Sequence, residues 1–331
     1  MTRMSDEITV TRELNKNRIT LGYIIKNLTR GVFPIAFGFI VLVIIAGILS
    51  PAFFKPTNIF NVLRQVSINC IISIGMTFVI LTGGIDLSVG SVVALCSVLV
   101  AFAQANGLST FTSVMVGLGA GMFCGLFNGF IIVNRKLQPF IVTLASMTIV
   151  RGLAYIISGG RPIMGITDSF RDIAITYAGP LPMPALYMLI LVGFAYVVLS
   201  KTFWGRAYYA IGGNEEAARL SGTRVDMYKA LAYVLTGVLS GFSAILVVAR
   251  VTVGEPIIGT GWELDAIAAV VIGGTSLAGG VGSVIGTFIG ALILGVLSNI
   301  FNLLNISAYV QMVFKGIIIL IAVLASTGKK H

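Results

Sequence analysis

The chain has 331 residues, 57% of them apolar and only 10% charged, with a formal net charge of +10. Water-soluble domains of this size carry about a quarter charged residues, so the composition excludes one and points to a polytopic membrane protein. The single histidine, His331, is the last residue, and the three cysteines, Cys70, Cys96 and Cys124, are scattered through apolar segments, which argues against histidine catalysis, a disulfide framework and a metal site.

Residues 1–30 are polar and hold Arg3, Arg12, Lys16, Arg18, Lys26 and Arg30. That stretch is too long and polar for a secretory signal and is read as a cytoplasmic tail. A span needs about 20 apolar residues to cross about 30 Å of hydrocarbon. On that rule the remainder predicts an all-α fold of about ten transmembrane helices within 31–325, centred on 31–49, 63–82, 87–105, 111–133, 138–158, 184–200, 229–250, 264–278, 282–299 and 307–325. The eighth is short and opens on two acids, which suits a broken or re-entrant helix inside the bundle. With the first tail inside, the inner segments, including the loop 201–229 and the 326–331 tail with Lys329-Lys330, hold 15 of the 22 Lys/Arg. Both termini are then cytoplasmic, and the positive charge follows from topology without any nucleic-acid partner.

Glycines recur every fourth residue in two spans, at Gly117, Gly121, Gly125 and Gly129 and at Gly282, Gly286 and Gly290. This spacing lays a small-residue groove along one helix face for close packing. Two such helices running in opposite directions would also suit an inverted repeat, spans 2–5 against spans 7–10. The piece GGIDLSVGSVVAL (83–95) places Asp86 as the N-cap of the third span, with a role at the cytoplasmic mouth as the alternative. A second glycine-rich piece, GGTSLAGGVGSVIGT, covers 273–287. No G-x-x-x-x-G-K followed by Ser or Thr occurs anywhere, so the chain offers no phosphate loop for ATP.

The longest polar island, KTFWGRAYYAIGGNEEAARLSGTRVDMYK (201–229), carries an Ala-rich run, Glu215–Leu220, with glycines on both sides. That predicts one or two helical turns between flexible ends, a docking element for a soluble partner; a plain connector braced by Glu215–Arg219 is the alternative reading. Gln65, Asn69, Ser73 and Thr77 form a polar stripe on the second span, suited either to a wet path for a neutral sugar or to interhelical hydrogen bonds. Glu263, Asp265 and Lys315 are ionisable residues within the spans, and Lys315 is expected to pair with one of the two acids. The loop 159–184, rich in Pro and Gly, is the longest outer segment, open to either a binding-protein contact or a cap on the bundle.

GGIDLSVGS, AIGGNEEAARLSG and GWELDAIAAVVIGGTSLAGG, in that order and at these separations, resemble the sugar permeases of ATP-binding cassette importers, the ribose type in particular. Glu216-Ala217-Ala218 followed by Gly222 is similar to the EAA-x-x-x-G motif by which such permeases meet their ATPase, without its Leu-Pro ending. The resemblance implies a coupling segment at Asn214, Glu215, Glu216, Ala217, Ala218, Arg219 and Gly222. It also implies a second copy of the chain, a cytoplasmic ATPase that holds the ATP and magnesium, a periplasmic sugar-binding protein, a monosaccharide substrate and a bacterial inner-membrane location. No cofactor or catalytic residue is expected in the chain itself. An ion-coupled secondary sugar transporter is the alternative, weakened by acids that lie near span ends.

Overall fold

The computed structural model describes residues 32–327, so the predicted tail 1–30 and the lysines Lys329-Lys330 lie outside the described residues. Thirteen helices follow in order: α1 (Phe33–Leu49), α2 (Pro56–Leu81), α3 (Val89–Ala105), α4 (Thr110–Arg135), α5 (Pro139–Ser158), α6 (Asp168–Ile175), α7 (Met183–Lys201), α8 (Phe203–Gly213), α9 (Glu215–Leu220), α10 (Val225–Val251), α11 (Trp262–Ile272), α12 (Val284–Leu303) and α13 (Ala308–Thr327). A hairpin of two-residue strands, β1 (Tyr177–Ala178) and β2 (Leu181–Pro182), is a small departure from an all-helical chain.

Several helix starts are written in the sequence. Prolines stand in the first turn of α1, α2, α5 and α7, where the missing N–H costs nothing. Serines cap α4 and α12: Ser109 Oγ accepts from Thr112 N at 3.1 Å, and Ser283 Oγ from Gly286 N at 2.9 Å.

Six helices, α2, α4, α5, α7, α10 and α12, are long and apolar enough to cross a bilayer, and α1, α3 and residues Ala308–Ile321 of α13 are shorter apolar helices. The fold is therefore that of an all-α polytopic membrane protein. Its centre is α2 with α10: 78% and 72% of their apolar windows are buried, against 28% for α5. Hydroxyls inside this centre bond to the carbonyl one turn back, as Ser73 does to Asn69 O (2.7 Å) and Thr236 to Ala232 O (2.7 Å). In a medium without water that is how a buried hydroxyl stays satisfied.

The glycine stripe of α4 meets a second stripe on α10. Gly121 lies against the backbone of Gly237 and Gly241, Gly125 against Tyr233 and Val234, and Gly129 against Ala230, so a methyl group at any of them would strike main chain. On α12, Gly286 and Gly290 likewise lie against Gly273 and Ala269. Gly282 does not belong to that stripe. It precedes the Ser283 cap, outside the helix, and faces Thr275.

The eighth predicted span is resolved into α11, 11 residues or about 16 Å of helix, and an irregular glycine-rich turn, 273–283. The connection before it, 252–261, turns inward along α3. Gly254 sits against Ser97 and Ala101, Ser97 Oγ donates to Glu255 O at 3.3 Å, and Gly259 sits against Gly90. Arg151 of α5 fixes this segment from the other side, donating to Pro256 O and Ile258 O, both at 2.7 Å.

Candidate functional site

At one end of the bundle the island 201–229 folds as two helices. The aromatic-rich α8 was not anticipated; it buries Tyr208 and Ile211, three residues apart, and Tyr208 packs edge-on to Phe78 and Tyr228. The predicted turns at Glu215–Leu220 are α9. Asn214 Oδ1 accepts from Ala217 N at 2.9 Å as its N-cap, and Gly222, at φ +84°, closes the other end in the left-handed region. Only Ala218 of α9 is buried, while Glu216, Ala217 and Leu220 are exposed.

Ionic contacts tie α9 to α10. Arg219 donates to both carboxylate oxygens of Asp226, at 2.7 and 2.9 Å, and Lys229 Nζ reaches Glu215 at 2.9 Å; Arg219 to Glu215 is a looser 3.5 Å. Bonding to Asp226 raises the Arg219 pKa above its ordinary value, so this guanidinium keeps its charge. Exposed pairs contribute little to stability, and their effect here is to fix the angle of a six-residue helix.

Gly212 and Gly213 are not a flexible lead-in. They end α8, and Gly212 lies directly on Leu81 O and on the backbone of Gly279 and Gly280. Gly280 N donates to Leu81 O at 3.0 Å, and Gly83, Gly279 and Gly280 all take positive φ. Three elements thus touch main chain to main chain: the end of α8, the end of α2 and the turn before α12. Tyr209 adds a hydrogen bond to Gly282 O at 2.9 Å. This junction connects the exposed α9 to the middle of the bundle.

Toward the other end, α2, α10, α11, α12 and α13 enclose a cavity of about 350 Å³, lined by Gln65, Asn69, Arg250, Trp262, Asp265 and Lys315 among others. Lys315 Nζ stands 2.9 Å from Asp265 Oδ2. Glu263 takes no part in that pair. It faces Gly90 instead, on the Arg151 side. The polar stripe of α2 is divided: Gln65 and Asn69 face the cavity, whereas Ser73 and Thr77 are fully buried beneath it. Thr77 bonds to Thr287 of α12 at 2.8 Å, and Gly75 lies on Thr236 of α10, so the cavity is closed on the α9 side.

Asp86 is not the N-cap of α3. Ser88 holds that position and α3 begins at Val89. The Asp86 carboxylate, 2% exposed, accepts from Ser88 N at 2.9 Å and Ser88 Oγ at 2.6 Å, and Asn128 Nδ2 donates to the same Ser88 Oγ at 2.9 Å. A carboxylate two residues ahead of the cap shapes the turn itself, as an Asx turn does.

The loop 159–184 folds onto the bundle as α6 and the hairpin. Phe170 and Ala174 are fully buried, Ile163 bridges Gly254, and Arg64 of α2 donates to Tyr177 Oη at 2.6 Å.

The geometry is that of a helical membrane bundle with one short exposed helix, a main-chain junction behind it and a cavity with polar groups in its wall toward the other end. Residues 58–323 match the family model described as branched-chain amino acid transport system / permease component. The chain is 48% identical to the ribose import permease protein RbsC of Bacillus subtilis (strain 168) over 294 residues, 88% of this chain and 91% of that one. It is 45% identical to RbsC of Escherichia coli (strain K12) over 295 residues, 88% and 92% of the two chains. It is 43% identical to the L-arabinose transport system permease protein AraH of E. coli (strain K12) over 295 residues, 88% and 89%. The chain belongs to this permease family. No solved structure matches it.

Proposed function

We propose that the chain is the membrane subunit of an ATP-driven importer of a monosaccharide, ribose first, as the relatives named ribose import permease suggest. Two copies surround the path, a separate ATPase with its ATP and magnesium docks on α9, and a periplasmic binding protein delivers sugar at the opposite end. Ten crossings, with α9 and both termini cytoplasmic, remain our reading, α11 and the turn 273–283 together making the eighth. The inverted repeat draws support from equivalent neighbours: α4 packs on α10 as α12 packs on α2, and α3 on α4 as α11 on α12.

The observation that carries this reading is the glycine junction. A push on α9 is transmitted through Asn214 to α8, and from Gly212 to Leu81 and Gly279-Gly280 without any flexible side chain between. Those are the ends of the elements that close the cavity, α2 with Thr77 and α12 with Thr287. Rigid-body movement of α8 and α9 can therefore open the floor, which is alternating access by rocking of packed helices.

The test is uptake of labelled ribose, arabinose and leucine into proteoliposomes holding this chain with its ATPase and binding protein. Uptake of ribose that needs internal ATP and the binding protein supports the proposal. Uptake by this chain alone on a proton or sodium gradient overturns it, and preference for leucine overturns the substrate.

A further inference from the structure

Asp86 is a buried carboxylate without a counter-charge. It is 2% exposed and makes no ion pair among the described residues, and both of its hydrogen bonds, from Ser88 N and Ser88 Oγ, fall on Oδ1. A carboxylate taken out of water inside a membrane bundle is costly unless something neutralises it. The polar atoms around it are short of partners too. The Tyr233 hydroxyl, from α10, stands over Gly84, where a methyl group would strike it, and is close enough to Asp86 to feel its charge. Asn128, from α4, spends its Nδ2 on Ser88 Oγ and leaves Oδ1 unbonded. Ser91, one helical turn past Ser88, and Ser146, one turn past the Thr143 whose hydroxyl donates to Ile85 O, carry unbonded hydroxyls as well. Tyr233, whose hydroxyl is also unbonded, Asn128, Ser91 and Ser146 are each no more than 2% exposed.

The chemistry of the cluster narrows the class of ligand. Water would bond the hydroxyls but leave the charge. A proton on Asp86 would remove the charge but supply a single donor to a group of unspent oxygens. An alkali-metal ion answers both needs: it carries the one positive charge that one carboxylate balances, and it takes hard oxygen ligands of the kinds gathered here, carboxylate, amide carbonyl and hydroxyl. A divalent ion would leave charge in excess beside a lone carboxylate. We propose that Asp86, Asn128 Oδ1 and the Tyr233 hydroxyl hold a desolvated sodium or potassium ion, with the Ser91 and Ser146 hydroxyls on its flank. Such an ion ties the turn before α3 to α4 and α10, a few residues from Gly83, whose backbone meets Gly279 at the glycine junction. It is a resident brace of that junction and not a coupled ion, so the inference stands apart from the importer reading.

The full chain in nanodiscs is melted in sodium, potassium, choline and calcium chloride at equal ionic strength. Bound sodium, and rubidium standing in for potassium, are counted by equilibrium dialysis with radioactive isotopes. The melting temperature should rise saturably, by several degrees, in an alkali salt over choline, as a ligand held only by the folded state requires, with a single ion retained per chain. Asp86→Asn should abolish that dependence. Tyr233→Phe keeps the charge but loses one ligand, so it should need about fivefold more cation for the same shift, while melting no lower than the native chain in choline, where its hydroxyl has no partner to lose. Should Asp86→Asn fail to fold, the Tyr233→Phe titration decides alone. Equal melting of the native chain in sodium, potassium and choline, with no ion retained, overturns the site, as does an alkali response that Tyr233→Phe leaves unchanged. A larger shift in calcium than in either alkali salt overturns the monovalent class.

Discussion

Lys315→Met tests whether the ion pair in the cavity wall supports the fold. Lys315 is the partner of Asp265 at 2.9 Å, and their side chains keep 30% and 13% of their exposure. Removing the lysine leaves a mostly buried carboxylate with no other side-chain partner among the described residues. Breaking a fully buried pair costs about 3–5 kcal/mol; with Lys315 nearly a third exposed, about 2–3 kcal/mol is expected. Asp265→Asn with Lys315→Met removes the stranded charge and should return most of that loss, since a pair replaced by neutral groups of similar size is often near break-even. The assay is the fraction of folded protein surviving graded heating in detergent, read by size exclusion for native, both single variants and the double variant. The order expected is Lys315→Met lowest, with the double variant near native. Equal survival of Lys315→Met and the native chain, with ribose uptake unchanged, would refute the reasoning.

Other positions give sharper readouts of the junction and the loop. Gly212→Ala places a methyl on Leu81 O and the Gly279-Gly280 backbone, and should abolish coupled uptake or reduce it at least tenfold, while Gly213→Ala, with open space around it, should retain uptake; both are read in the proteoliposome assay. Glu216→Arg alters only an exposed residue of α9, so the bundle should melt as native while ATPase co-purification falls. Asp86→Ala strands Ser88 N–H and should cost about 1–3 kcal/mol, seen as a lower melting temperature, whereas Asp86→Asn keeps an acceptor and should cost less.

What was legible in the sequence was local. Asn214, the Ala-rich run and Gly222 carry their own cap and stop, so α9 could be read within one window. The α4 stripe was legible as a face but its partner was not, because Gly237 and Gly241 reveal themselves only once α10 is laid across it. Nothing in the residues of 252–261 names its neighbours, and only the contacts of Gly254 and Gly259 with α3 show the segment folded inward. Asp86 was placed two residues out of register, since Asp and Ser are both good caps and composition does not say which one the turn uses. The polar stripe was correct as a face of α2, yet helical periodicity carries no information on depth, and depth is what separates Gln65 and Asn69 from Ser73 and Thr77. The α8 helix is hard to read because three of its 11 residues are glycines and two of them end it, although Tyr208 and Ile211 at helical spacing are a usable signal.

The seam between α4 and α10 also has a consequence for biogenesis. Gly121 and Gly125 are covered by the main chain around Gly237 and Tyr233, which follows α5 to α9 in the order of synthesis. Until then the glycine face of α4 has only lipid or insertion machinery beside it, and α4 cannot reach its final place. This seam therefore closes late, and a chain interrupted before α10 leaves the glycine groove of α4 unfilled.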